Sequence, residues 1–225
     1  MPASIDRISV PSCAPVAFEP PAFPARACAS GMWCRLEPLD PMAHGDDLWA
    51  AMLADRADGT WTFLGFGPFA ARPEMDSKLA EFAARSDAVF FAVRDGDAKW
   101  AVRGWASLMS VVPEHGRIEI GNVWFSPALQ RRRAATEALT LLAKRVFRLG
   151  YRRLEWKCDA ANTASRNAAL RLGYAYEGIH RRHMVVRGRN RDTAWFSMVA
   201  EEWPRIEARC DAWLAPSNFD VEGWQ

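Results

Sequence analysis

The sequence predicts an α+β fold, a three-layer α/β/α arrangement around a mixed sheet whose strand pairs are mostly antiparallel. Three observations predict it. Apolar periodicity alternates between strand and helix in the order strand, two helices, three strands, helix, strand, helix and hairpin, the mixed order of a layered domain. One strand, Arg117 to Phe125, passes through a short polar connection into a helix that stops at Gly150, so a helical crossover makes at least one strand pair parallel. A chain of 225 residues, half of them hydrophobic, can bury a sizeable core, and one domain with tails is the simplest division.

The elements follow in order. Residues 1–30 carry Pro2, Pro11, Pro15, Pro20, Pro21 and Pro24 among Ala and Ser, which predicts an extended arm that lies on the body or is disordered. The domain itself spans 31–203. Met32 to Leu39 alternates as a strand ended by Pro41, and Ala43 to Asp55 is helical with Leu48, Ala51 and Met52 inward. Residues 59–69 are different: three glycines and a proline interrupt Trp61, Phe63, Leu64, Phe66 and Phe69, so no regular element fits. This apolar loop reads either as a core plug or as the wall of a substrate pocket, with Trp61, Phe63 and Phe66 the candidate contacts. Pro73 opens a helix reaching Arg85, with Met75, Leu79 and Phe82 on one side. Strands at 88–93 and 99–111 are joined by the turn Asp95-Gly96-Asp97, and Pro113 to Gly116 turns the chain into the central strand. Beyond Gly150, Arg152 to Cys158 sets Arg153, Glu155 and Lys157 against Leu154, Trp156 and Cys158, a strand with one buried face. A helix from about Thr163 stops at Gly173. Segments 174–186 and 191–199 flank Arg187-Gly188-Arg189-Asn190 as a hairpin. The tail, 204–225, is partly helical, with Pro204 interrupting it early.

Composition excludes several classes. A formal charge of +2 supplies no global field for nucleic acid or an anionic membrane. No uninterrupted apolar run could cross a bilayer and no basic start precedes an apolar block, so a cytoplasmic protein is expected. The five cysteines lack metal-ligand spacing and are odd in number, which suits reduced thiols and gives no reason to expect zinc. Cys158 reads as a small buried hydrophobe.

The junction Gln130-Arg131-Arg132-Arg133-Ala134-Ala135 is where chemistry is expected. A helix start offers unpaired amides and a positive dipole end to an anion, with three arginines beside it, although such a run also reads as a solvated face.

Here the sequence resembles a known family. Ile118-Glu119-Ile120-Gly121 followed by Gln130 to Ala138 resembles the central strand and Q-x-x-G-x-x-T-E-A pyrophosphate loop of the GNAT superfamily of acyl-CoA-dependent N-acyltransferases, in its RimJ/RimL-like branch. Asn162-Thr163-Ala164-Ser165 with Gly173-Tyr174 and Glu177-Gly178 resembles the branch's N-x-x-S…G-F-x-x-E-G segment, Gly188 to Asp192 its closing G-x-x-R-D, and Leu36 to Leu39 the domain start. The resemblance implies a splayed strand pair that admits the pantetheine arm of acetyl-CoA along Val123, Trp124 and Phe125. It places the pyrophosphate on the amides of Arg131, Arg132, Arg133, Ala134, Ala135 and Thr136 after Gln130. Arg133 stands where the family usually has glycine, a costly exchange if the loop needs positive φ there.

The chemistry it implies is acetyl transfer to a primary amine, on a protein N-terminus or a small molecule, by direct transfer in a ternary complex. Glu119 matches the general-base glutamate of GNAT histone acetyltransferases, and otherwise reads as a cross-strand salt-bridge partner. Ala169 occupies the place of the family's frequent acid tyrosine, so Ser165 is the candidate acid, or simply a helix-start residue. Asn162 would touch pantetheine or cap the helix, and His183, with His180, could face the acceptor from the hairpin. A monomer or homodimer with these two ligands is expected, and the alternative is a noncatalytic acyl-CoA-binding module.

Overall fold

The computed structural model of the chain describes residues 15–55 and 59–219. The first strands, β1 (Ala29–Ser30) and β2 (Cys34–Pro38), lead into α1 (Pro41–Leu53) and α2 (Arg72–Ala84). The meander is β3 (Val89–Asp95), β4 (Ala101–Val112) and β5 (Arg117–Phe125). Then come α3 (Arg133–Arg148), β6 (Arg153–Asp159), α4 (Thr163–Leu172), β7 (Ala175–Val186), β8 (Arg189–Val199) and α5 (Trp203–Trp213). The described strands form one sheet in the order β1-β2-β3-β4-β5-β6-β8-β7. Each pair is antiparallel except β5 with β6, which α3 joins as a crossover. The α+β sandwich expected from the element order is the fold observed.

Two cores lie on the two faces. Leu36, Phe91, Leu108, Ile118, Ile120, Leu154 and Phe196 pack with Ala134, Ala138 and Leu142 of α3, Ala169 and Leu172 of α4, and Ile206 of α5. On the other face Phe90, Ala92, Trp105 and Trp124 meet Leu48 and Met52 of α1 and Met75, Leu79 and Phe82 of α2. The second cluster is aromatic: the Trp61 ring stacks on Trp124 at 4.6 Å, and Phe82 on Phe90 at 4.0 Å.

Local chemistry sets several boundaries. The β2 strand starts later than its alternation suggests because Glu137 takes the amides of the preceding turn. Its carboxylate accepts from Met32 N at 2.8 Å, Trp33 N at 2.7 Å and Cys34 N at 2.7 Å, and it lies where a Cβ on Gly31 would stand. Glu137→Ala is expected to lower the free energy of unfolding by on the order of 3 kcal/mol, read by urea denaturation, because three amides, one in a buried bond and two in part-buried bonds, lose an ionised acceptor. Pro204 sits in the first turn of α5, where a missing N–H is harmless, so it starts the helix rather than interrupting it. Residues 15–28 lie along the body without regular structure, tied by Tyr151 Oη donating to Ala22 O at 3.2 Å and by Arg145 donating to Ala27 O at 2.7 Å. The rest of the expected arm, residues 1–14, and the tail end, 220–225, lie outside the described residues.

Candidate active site

The site begins where two strands part. β5 and β6 are paired for three residues, from Arg117 opposite Arg153 to Glu119 opposite Glu155. Beyond that point β5 stays with β4 as far as Phe125, and β6 with β8 as far as Asp159, so their facing edges separate. The divergence has a local cause. The β4–β5 register shifts twice, and Ser110 and Asn122 take left-handed φ of 49° each, the marks of bulges that bend a strand. Along the freed edge, Trp124 turns its ring into the aromatic core while Val123 and Phe125 pack against the α3 side, which leaves the edge itself as backbone.

The freed edge ends at the start of α3. Gln130 Nε2 donates to Phe125 O at 3.0 Å, holding the loop against the strand end. Arg131 is exposed with φ 62°, and Arg132, the residue before the helix, supplies no side-chain cap. The left-handed residue of the loop is therefore Arg131, whereas Arg133 is the first helical residue, and the backbone strain anticipated at Arg133 does not arise. Its guanidinium is buried and turned away from the helix start: Nε and Nη2 donate to Asp97 at 3.0 and 2.6 Å, and its Cζ lies 3.5 Å from the Trp33 ring centroid. Ala134 and Ala135 are buried against the sheet, and Thr136 Oγ1 accepts from Arg171 at 3.0 Å. Among the described residues no side chain accepts from the first-turn amides.

At the fork stands Glu119, 2% exposed. Its Oε2 accepts from Lys157 Nζ at 2.8 Å and Ser110 Oγ at 3.0 Å. Burial pushes its carboxyl above the usual glutamate range; Lys157 and Ser110 pull the other way, and Glu155 adds to the push. The cross-strand salt bridge foreseen as the alternative for this residue is thus present. Across the fork, Ser165 lies in the first turn of α4, its Oγ accepting from Trp156 Nε1 at 3.0 Å. The carboxamide oxygen of Asn162 accepts from Ser165 N at 3.0 Å, which makes Asn162 the cap of α4. Cys158 is buried beside them, its thiol pushed up by burial.

The face around Glu119 is polar. α1 and α2 cover it over β3 to β5, and the remainder, over β6 and β8, carries Glu155, Lys157, Trp195 and Ser197. The β7–β8 hairpin borders it. His183 Nδ1 lies 3.0 Å from Thr193 Oγ1, its ring is 5.4 Å from that of His180, and both histidines pack on Trp195. At the hairpin tip Arg187 donates to Gly67 O in the apolar loop. Gly67, with φ +63°, is required there, since a Cβ would lie 2.4 Å from the Trp61 ring.

Trp61, a candidate substrate contact, has no exposed surface and is the hub of the aromatic core. Phe66 is partly buried against Phe82, and Phe63, 37% exposed, is the most exposed of the three. The structure brings Glu119, the freed edge and the α3 start together and leaves Trp61 apart. Residues the sequence reading passed over are Lys157, on the polar side of an alternating strand, and Asp97, taken as a turn residue.

A parallel strand pair that forks between two helical layers and leads to a helix start beside three arginines defines the architecture of the site. Residues 35–175 match the family model for an acetyltransferase (GNAT) domain, more than half of the chain, and the chain belongs to that family. It is 46% identical to a GCN5-related N-acetyltransferase from Brucella melitensis, over 93% of this chain and 95% of that one, with a TM-score of 0.89. A probable acetyltransferase of the GNAT family from Chromobacterium violaceum is 42% identical over 87% and 98%, with a TM-score of 0.80. A RimL ribosomal alpha-N-protein acetyltransferase, 20% identical over 75% and 91% with a TM-score of 0.65, shares the fold at greater distance. Among curated proteins no sequence matches. Among the described residues no helix is long and apolar enough to cross a membrane, and no cluster of His, Cys, Asp and Glu could hold a metal ion.

Proposed function

We propose that residues 31–203 form an N-acetyltransferase domain that moves an acetyl group from acetyl-CoA to a primary amine by direct transfer in a ternary complex. The observation that carries this reading is the end of β5–β6 pairing at Glu119 and Glu155, which leaves a backbone edge leading to the start of α3. Acetyl-CoA, when bound, supplies an activated thioester. Amides from Arg131 to Thr136 receive its pyrophosphate, with Arg131 and Arg132 adding charge, and the edge at Val123, Trp124 and Phe125 offers hydrogen bonds to the pantetheine. Glu119 takes the proton of the amine directly or through a water, and Ser165, whose oxygen already accepts from Trp156, has its own proton to give to the departing thiolate.

The noncatalytic alternative leaned on Arg133 in the family's glycine position and on Ala169. The helical geometry of Arg133 takes away the first support. Arg133→Ala is accordingly expected to lower stability by about 1.5–3 kcal/mol, the range for a hydrogen bond to a charged group, while leaving acetyl-CoA affinity unchanged; chemical denaturation and calorimetric titration check the two halves. The reading as a whole is tested by titrating acetyl-CoA into the protein and then measuring thiol release with a panel of amines. Binding with amine-dependent release is expected. Binding without release from any amine points to the sensor, and failure to bind removes both.

A further inference from the structure

Carboxylates on the open polar face are already neutralised. Glu119 is met by Lys157 at 2.8 Å, Glu155 by Arg153 at 2.8 Å and Arg117 at 3.3 Å, and Glu177 by Arg153 at 2.6 Å and Ser197 at 2.7 Å. The bordering hairpin is the reverse. Between His180 and Asp192 it carries Arg181, Arg182, Arg187, Arg189 and Arg191 against the single acid Asp192, a formal +4 in a chain that totals +2. Asp192 is itself held by Arg182 N at 2.7 Å and Asn190 Nδ2 at 2.8 Å. Among the described residues none of the five arginines joins a salt bridge, four of them are exposed, and Nε of the fifth, Arg191, is buried without a partner. A free amine, cationic at neutral pH, gains nothing from such a border unless the rest of its molecule is anionic.

The border is also long. β7 is the last strand of the sheet, so its outer edge has no strand partner among the described residues, and it exposes Ile179, Met184 and Val185. Paired from Ala175 opposite Ser197 to Val186 opposite Arg189, with two bulges on the way, it spans roughly 27 Å, still more than a small acceptor can follow. Pairing with a second copy of the same hairpin would set arginine against arginine.

We propose that the β7–β8 hairpin docks an acidic, extended polypeptide segment whose amino terminus it delivers to Glu119. The proposal rests on the transferase reading, and it names the acceptor class that reading leaves open. Arginines recognise the acidic side chains, and the β7 edge recognises the main chain.

The test uses the full chain and three fluorescent peptides with one common start, followed by tails of alternating glycine with Glu, Gln or Lys. In fluorescence anisotropy the Glu-tailed peptide is expected to bind on the order of tenfold more tightly than the Gln-tailed one at low salt, to lose that advantage as salt rises, and to outrank it as an acceptor by a similar factor in kcat/KM. Arg181→Glu with Arg189→Glu should abolish the preference while acetyl-CoA affinity and thermal unfolding stay as in the parent. Equal binding of Glu- and Gln-tailed peptides overturns the proposal, as does a preference that survives both substitutions. A small dicarboxylate amine accepted better than any peptide overturns the polypeptide as occupant. No turnover with any amine defeats the transferase reading and amine delivery with it, and the anisotropy then judges the docking surface separately.

Discussion

Glu119→Gln is expected to slow acetyl transfer by on the order of 10²–10⁴-fold, the usual contribution of a positioned acid or base, and to leave acetyl-CoA affinity unchanged. The residue is 2% exposed and is the last of β5 to pair with β6, so a carboxamide of equal size keeps the packing and can still accept from Ser110. What it cannot do is take a proton. Lys157 loses its counter-charge, but part of its side chain remains in solvent and can be hydrated. Steady-state thiol release gives the rate and calorimetry gives the affinity. A rate equal to the parent's would strike Glu119 from the mechanism and leave it a salt-bridge residue.

Lys157→Met is expected to shift the acidic limb of the kcat/KM profile to higher pH. Three groups act on the Glu119 carboxyl besides burial: Lys157 and Ser110 favour its ionised form, and Glu155 opposes it, while Tyr174 lies buried within reach of its charge. Burial already wins, so the group sits above the ordinary glutamate range, and removing the cation raises it further. Only the ionised form is a base, so more alkali is needed for the same rate. The partial exposure of Lys157 keeps the shift at the small end of what an adjacent opposite charge produces. Lys157→Arg should restore the parent profile, a rescue that packing alone would not produce. Stability gives an independent sign. A carboxyl raised in the folded state binds its proton more tightly there than in the unfolded chain, so its contribution is present at low pH and is lost as pH rises through the folded value. The methionine variant should therefore lose stability relative to the parent as pH rises from 5 to 8, followed by urea denaturation.

Much of the architecture was legible because its signals are local. The helix at Thr163 to Leu172 is bounded by Asn162, whose side chain caps it, and by Gly173, whose φ of 105° suits glycine. The strands at 117–125 and 153–159 could be read from alternation, with one misreading: Glu155, on the face taken for solvent, is buried among Arg117 and Arg153. The apolar loop is legible as irregular, with core plug and pocket wall both open for it, and the full burial of Trp61 puts that residue in the core. Amphipathic periodicity states that a residue will be covered. It does not state by what.

By itself the sequence determined the order of elements, the crossover that makes β5 and β6 parallel, and the motif segments that place the chain among GNAT acetyltransferases. Those rest on spacing within a few residues and on side-chain type, which need no third dimension. Only the tertiary structure decided that the Arg133 guanidinium leaves the helix start for Asp97, 36 residues away, and that Lys157 meets Glu119 across 38. It alone decided, too, where the strand pair opens, since two bulges in the β4–β5 ladder set the angle at which β5 leaves β6. Such contacts depend on how separately formed elements are pressed together, and a long flexible side chain or a bulged strand can satisfy the same local pattern while pointing elsewhere.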